Sequence, residues 1–215
     1  MFVGHYAVGF ALKKKFKDVP LWQLFISVQL VDVLAFLLVL LGVERIRYNE
    51  TTNPFLRTII EYVPFSHSLL SNIVIALAVF LVFWKIKNKV WGLVLSIGVL
   101  SHWFLDFLVH TPDMPLFFDS GKTGLGLWQY PWVAFLFELI LLILAGFYLL
   151  KGARKIKRHL ILIALLTAGF AGMFFAPAGE ATPAQASIVS LSLYALFATL
   201  AYWSEREVKQ NPGNL

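Results

Sequence analysis

The chain has 215 residues, of which 59% are hydrophobic and only 14% are charged, whereas a soluble domain is about 45–50% apolar. Its mean hydropathy of +0.76 excludes an ordinary soluble protein and predicts a single unit in a bilayer. The net charge of +6 lies in short clusters between apolar runs, so it indicates membrane flanks rather than a nucleic-acid partner, and the lack of cysteine excludes disulfides and thiolate sites.

The first predicted element is a short apolar stretch at residues 1–12, which ends in a basic run beginning at Lys13. Its charges follow the apolar part instead of preceding it, and no small-residue cleavage site comes next, so the pattern is not that of a signal peptide. A spanning helix needs about 20 apolar residues. We therefore predict a retained N-terminal helix that is only half inserted.

Six longer apolar runs follow, and each is long enough to cross the hydrocarbon core of a bilayer. They lie at about 21–43, 67–84, 90–110, 131–150, 159–177 and 186–204. The predicted fold is therefore an all-α polytopic membrane helix bundle, with six transmembrane helices plus the N-terminal half-inserted helix.

The basic residues between these runs predict the orientation of the bundle. Most of the 18 Lys and Arg residues fall in the segment 13–17, in the loops 85–89 and 151–158, and in the C-terminal tail. Because Lys and Arg favour cytoplasmic loops, both termini are predicted to be cytoplasmic, and the loops at 44–66, 111–130 and 178–185 are predicted to face outward.

A change in composition suggests two parts of the chain. The Asp, Glu and His residues predicted to be buried in the apolar runs all lie before the boundary at 158/159, and the last two runs are rich in Ala, Leu and Ser. We therefore predict a membrane core at 1–158 that carries a polar site, followed at 159–215 by two additional transmembrane helices and a cytoplasmic tail.

Several ionisable side chains lie where lipid is expected. Each costs at least about 2.5–3.5 kcal/mol to insert, so such residues usually face one another or a cavity. Asp32 lies near the middle of the first span, His102 and Asp106 lie in the third, and Glu138 lies in the fourth. His67 begins the second span at its outer end.

The spacing of these residues allows one shared site. His102, Asp106 and His110 follow one another at intervals of four, which keeps them on one stripe of a helix. His102, Asp32 and Glu138 also fall near one depth at 1.5 Å per residue. His5 on the half-inserted helix reaches toward the same level from the cytoplasmic side.

Imidazole and carboxylate groups are the ligands that zinc, manganese and iron prefer in proteins. The predicted cofactor is a divalent metal ion, with zinc as the first expectation. More ligand-type side chains are present than one ion needs, so the surplus can supply a second metal, a general base or groups that orient the imidazoles. Asp106 and Glu138 are the candidate bases, and His110 is a further candidate ligand.

Short motifs in the first two thirds of the chain resemble the bacterial inner-membrane metal-dependent hydrolases, a family named for its expected activity. The matching pieces, in the same order as in that family, are Gly4-His5 with Gly9, Asp32-Val33-Leu34, Ser66-His67-Ser68-Leu69, Ser101 to Asp106, Gly124 to Trp128, and Glu138-Leu139. The chain resembles a divergent member, because Gln29 and Leu30 stand in the first two places of the family's paired-acid motif.

The resemblance implies metal ligands at His5, Asp32, His67, His102 and Asp106, with Glu138 as a further member of the site. It also implies a multi-pass protein of the bacterial cytoplasmic (inner) membrane. The last two predicted spans lie outside the matching region.

Three classes of function are compatible with these observations. The first is a metal-dependent hydrolase that acts on a phosphoryl or acyl group of a lipid or amphiphile by a metal-activated water. The second is a proton- or cation-coupled transporter that uses the same buried His, Asp and Glu side chains. The third is a structural or lipid-binding protein whose buried polar groups only tie helices together.

Overall fold

The computed structural model describes residues 1–151, 155–177, 179 and 181–206. Within them the chain forms seven α-helices and one antiparallel hairpin. The helices are α1 (Gly4–Lys15), α2 (Leu21–Leu40), α3 (Leu69–Ile86), α4 (Lys89–Val109), α5 (Pro131–Leu150), α6 (Ile156–Phe175) and α7 (Pro183–Glu205). The strands are β1 (Arg45–Tyr48) and β2 (Thr58–Tyr62).

Six of the helices in the described part of the chain, α2 to α7, are long and apolar enough to cross a membrane. The predicted fold class, an all-α membrane helix bundle with multiple spans, is therefore confirmed. The helix ends lie within about three residues of the predicted ones. Most of the predicted cytoplasmic tail, at 207–215, lies outside the described residues.

Side-chain caps set the start of several helices. Ser68 at α3 and Asn88 at α4 each accept a hydrogen bond from the backbone N–H three residues later, at 3.1 and 2.9 Å. Thr182 and Gln185 form a capping box at α7. Such caps satisfy amide groups that have no partner within the helix. The Ser68 cap also fixes the position of the residue just before it, His67.

Helix α1 lies inside the bundle, where it packs against α2, α4 and α5. His5 and Phe10 are completely buried. A Cβ atom at Gly9 would come within 3.1 Å of the Phe25 ring, so the absence of a side chain there allows the close approach of α1 and α2. The N-terminal helix is thus surrounded by other helices instead of lying on the surface of the bundle.

The last two helices share the core of the preceding ones. One hydrophobic cluster contains Phe10 and Phe25 from the first two helices together with Leu162 and Phe170 from α6. Helix α7 lies along α2, and α6 packs against α5 and α7. Packing therefore continues across the predicted boundary at 158/159.

The connection from α2 to α3, which was predicted only to face outward, contains the hairpin. Gly42 has a φ angle of +72°, a conformation that glycine adopts at helix ends without a steric penalty. The strands pair from Arg45 with Tyr62 to Tyr48 with Thr58. The hairpin returns the chain so that Glu44, just before β1, meets the turn that leads into α3.

Candidate metal centre

Five ionisable side chains converge in the interior of the bundle. They come from α1, from α2, from the turn before α3 and from α4, and they are His5, Asp32, His67, His102 and Asp106. Two overlapping groups, His5 with His102 and Asp106, and Asp32 with His67 and His102, have ligand atoms within 4.8 Å of one another. A buried His and Asp cluster of this kind can hold a metal ion.

His102 lies at the centre of the cluster. Its Nε2 atom is 3.0 Å from Asp106 Oδ2 and 3.4 Å from Asp32 Oδ1. His67 approaches the same two carboxylates, with its Nε2 atom 3.3 Å from Asp32 Oδ1 and 3.9 Å from Asp106 Oδ2. The four-residue spacing on α4 places His102 and Asp106 on one face, as predicted.

His5 reaches the cluster from α1. Its Nε2 atom is 3.2 Å from Asp106 Oδ1, and its ring stacks on that of His102 with centroids 3.9 Å apart. The two oxygens of Asp106 thus face different histidines. His5 therefore lies directly against His102, and the role of these residues as metal ligands stays a prediction.

The tautomer of His102 follows from its second nitrogen. Nδ1 lies 2.8 Å from the carbonyl oxygen of Val28, and a carbonyl can only accept a hydrogen bond. Nδ1 therefore carries a proton. In the neutral ring, Nε2 then presents a lone pair to Asp32 and Asp106, which is the form in which an imidazole binds a metal.

A chain of hydrogen bonds orients His67 in the same way. The buried carboxylate of Glu44 accepts from the Ser66 hydroxyl at 2.6 Å and from the Ser66 amide at 2.8 Å. Since the hydroxyl proton is donated to Glu44, Ser66 Oγ accepts from His67 Nδ1 at 2.8 Å. The Nε2 lone pair of neutral His67 is therefore directed at Asp32.

This arrangement fits a divalent ion. The Nε2 atoms of two imidazoles face carboxylate oxygens, and such a pair needs either a proton on the imidazole nitrogen or a cation between the two atoms. Within the described part of the chain, Nε2 of His102 and both nitrogens of His5 are buried without an aligned hydrogen-bond partner. The residues present, three imidazoles and two carboxylates, match the ligand preferences of zinc.

The amino group of Met1 also contacts Asp106, at Oδ1. Oδ2 of the same carboxylate remains directed at His102 and His67. The part of the cluster formed with Asp32 is therefore separate from this contact.

Glu138 on α5 is fully buried and anchors the start of α1. Its Oε2 atom accepts from the amides of Phe2 and Gly4 at 2.8 and 3.3 Å, and its Oε1 atom accepts from Trp128 Nε1 at 3.4 Å. An acidic side chain is favourable at a helix N-terminus. Glu138 thus lies beside the residue before His5, and neither metal-capable group found in the described residues includes it.

His110 follows the last residue of α4 and lies apart from the two groups. Its Nδ1 atom is 3.1 Å from Asp113 Oδ1, and its ring lies 4.2 Å from that of Trp128. The structure therefore places this candidate ligand over the loop before α5. Its proposed place in the site stays a prediction.

Sequence reasoning did not select three side chains that support the cluster. Ser66 and Tyr194 contact it directly, and Glu44 contacts Ser66. The Tyr194 hydroxyl on α7 donates to Asp32 Oδ2 at 2.9 Å. Ser66 stood next to a candidate histidine, so adjacency was a usable signal. Glu44 resembled an ordinary loop acid, and Tyr194 was one of two tyrosines in an apolar helix.

Comparison with known proteins adds no assignment, because no family model, no curated protein and no solved structure matches the chain. The function must therefore be argued from the geometry of the cluster.

Proposed function

We propose that this protein is a membrane-embedded metal-dependent hydrolase, with zinc as the expected ion. The observation that carries the proposal is the cluster of His5, Asp32, His67, His102 and Asp106, in which the Nε2 atoms of oriented imidazoles face two carboxylates. Burying these groups without a cation would cost free energy at each of them.

The residues of the cluster have different proposed roles. His67, His102 and Asp32 form one ligand group. Hydrogen bonds to Ser66 and to the Val28 carbonyl fix the orientation of its two imidazoles. A divalent ion held there supplies Lewis acidity, which polarises a phosphoryl or acyl group and makes water nucleophilic near neutral pH. Asp106 is the better placed of the two candidate bases, because its Oδ2 atom faces His102 and His67, whereas both oxygens of Glu138 accept from amides or from an indole N–H.

The depth of the cluster supports a lipid or other amphiphile as the substrate. Asp32 and His102 lie just beyond the middle of α2 and α4, and a spanning helix of about 20 residues crosses the hydrocarbon core. A substrate that reaches this depth needs an apolar part as well as the phosphoryl or acyl group to be cleaved.

The compactness of the cluster favours an enzyme over the alternative, a proton- or cation-coupled transporter. A transport path would place polar side chains across the full thickness of the bundle, whereas each ligand group here fits within 4.8 Å. We retain the transporter as the second outcome of the experiment below.

Family membership and cellular location belong to the same proposal. The motifs around His5, Asp32, His67 and Asp106 support a divergent inner-membrane metal-dependent hydrolase of bacteria. The basic residues at one end of the bundle support cytoplasmic termini.

The first test is metal analysis of the full-length protein in detergent, after loading with zinc and removal of free ion. The wild type is expected to retain zinc, and His102→Ala is expected to lose it. His159→Ala is the matched control, because His159 bonds the Lys155 carbonyl of its own helix turn at 2.9 Å. Zinc retention by His102→Ala, or none by the wild type, would contradict the proposal.

The second test separates hydrolysis from transport. The zinc-loaded protein is incubated with micelles of phosphatidate or of phosphatidylcholine, and released phosphate or fatty acid is measured. Release that disappears in His102→Ala supports the hydrolase. Zinc binding without release of phosphate or fatty acid, together with zinc uptake into proteoliposomes, would contradict the hydrolase and support the transporter.

A further inference from the structure

The last helix contributes one polar contact to the metal centre. Tyr194 on α7 donates its hydroxyl proton to Asp32 Oδ2 at 2.9 Å. The other oxygen of the same carboxylate, Oδ1, is the one that faces His67 and His102. The two oxygens of Asp32 therefore have different partners, one from the ligand cluster and one from α7.

We propose that Tyr194 is a positioning residue of the metal centre, which holds the Asp32 carboxylate so that Oδ1 is presented to the ion. This inference rests on the proposed function. It assigns to α7, which lies outside the motifs that suggested a hydrolase, a direct part in building the site.

Asp32 needs such support more than the other ligands do. Its side chain is 16% exposed, whereas those of His67, Asp106, His102 and His5 are 8%, 2%, 0% and 0% exposed. Packing therefore restrains Asp32 least. The terminal torsion of an aspartate is broad, so a hydrogen bond to one oxygen is an effective way to fix the direction of the other. Partners of this kind commonly tune metal ligands.

Helix α7 is itself held in place by contacts on the C-terminal side of Tyr194. The Phe197 ring, one turn further along α7, lies edge-on to Tyr6, with centroids 5.6 Å apart. At the end of the helix, Glu205 pairs with Lys13 at 2.6 Å and accepts from the Leu21 amide at 2.6 Å. These contacts fix the hydroxyl relative to α1 and α2, the helices that carry His5 and Asp32.

A purely structural role for the contact makes a different prediction. A hydroxyl in an apolar helix needs an acceptor, and Asp32 would satisfy that need whether or not a metal binds. Removal of the hydroxyl would then alter stability while leaving metal affinity unchanged. A positioning role requires that metal affinity change, and that the change depend on the Asp32 carboxylate.

The test compares Tyr194→Phe with Tyr202→Phe, an exposed tyrosine on the same helix. Zinc affinity is measured by competition with a chelating dye, and the visible spectrum of the cobalt(II)-loaded protein reports ligand geometry. We expect Tyr194→Phe to bind zinc about 10–100-fold more weakly and to change the cobalt spectrum. Tyr202→Phe should match the wild type in both. Gel filtration and thermal unfolding verify that both variants are folded.

A double variant decides whether Tyr194 acts through Asp32. In an Asp32→Asn background, Tyr194→Phe should cause no further loss of zinc affinity, because the oriented carboxylate is already gone. Equal losses in both backgrounds, or unchanged affinity in Tyr194→Phe, would overturn the positioning role while leaving the hydrolase proposal intact. Absence of zinc binding by the wild type would overturn both.

Discussion

At the scale of single residues, the hydrogen bond at Nδ1 of His102 and of His67 determines which groups the Nε2 atom of the same ring faces. Val28 and Ser66 hold the Nδ1 atoms of His102 and His67, and this leaves both Nε2 atoms to face the carboxylates. The direction of the lone pairs is thus set by groups that would not themselves bind an ion. Such partners deserve the same experimental test as the ligands.

Removal of the Ser66 hydroxyl should weaken metal binding. Ser66→Ala deletes the acceptor of the His67 Nδ1 proton and one donor to Glu44, so His67 loses the bond that directs its Nε2 atom. We expect zinc affinity to fall about 10–100-fold, measured by calorimetric titration. Ser96→Ala is the control, since the Ser96 hydroxyl bonds the Leu93 carbonyl of its own helix. Equal affinities for the two variants would refute the orienting role.

The sequence was informative about residues whose presence in lipid is costly. Asp32, His102 and Asp106 interrupt long apolar runs, and the insertion penalty made their convergence predictable. Glu44 and Tyr194 gave no such signal. An acid in a loop and a tyrosine in an apolar span are both unremarkable in a sequence, and only the hairpin and the packing of α7 bring them to the cluster.

At the scale of elements, the distance between α2 and α4 controls the distance between Asp32 and His102. Gly98 on α4 faces Ser27 on α2, where an added Cβ atom would overlap the Ser27 hydroxyl and lie 3.2 Å from its Cβ atom. The hydroxyl is held on the Leu24 carbonyl at 2.8 Å. A side chain at Gly98 would therefore push the two helices apart.

Gly98→Ala should accordingly destabilise the protein and weaken zinc binding. We expect the free energy of unfolding to fall by about 1–3 kcal/mol, measured by titration with dodecyl sulfate in mixed micelles. Gly172→Ala on α6 is the control, because no neighbouring side chain among the described residues lies within 4 Å of its added Cβ atom and alanine favours a helix by up to about 1 kcal/mol. A loss as large in Gly172→Ala would refute the close-packing argument.

Short elements were harder to predict than long ones. The length of residues 1–12 indicated a helix that does not span, yet length alone could not show that α1 is enclosed by α2, α4 and α5. Strands β1 and β2 have four and five residues, and a hairpin this short depends on contacts made elsewhere. The anchoring of α1 by Glu138 is another contact between distant segments.

At the scale of the whole molecule, several lysines lie together at one end of the bundle. Lys13 and Lys155 both contact Glu205, at 2.6 and 2.5 Å, and Lys14 contacts the carbonyl of Lys151. The ends of α1, α5 and α7 and the starts of α2 and α6 therefore share one side. This is the side that the basic residues predict to be cytoplasmic.

Reporter fusions can test this orientation. A phosphatase that is active only outside the cytoplasm, fused after Lys89 or Lys155, should be inactive, and the same enzyme fused after Lys122 should be active, because basic loops are retained in the cytoplasm. A reporter that is active only in the cytoplasm, fused at the same sites, provides the reciprocal control. An external location of the reporter fused after Lys155 would show that the bundle has the opposite orientation.

The hydrogen bond between Tyr194 and Asp32 joins residues 162 positions apart, and this separation has a consequence for biosynthesis. At about 5–20 residues per second, roughly 8–30 s of translation separate the emergence of the two side chains from the ribosome. His102 emerges 74 residues after Val28, so the nascent α2 also precedes its histidine partner. Until Tyr194 and His102 have emerged, the Asp32 carboxylate has neither partner, and an unpartnered carboxylate in lipid is costly. The early chain must therefore keep Asp32 protonated, hydrated or in contact with the insertion machinery.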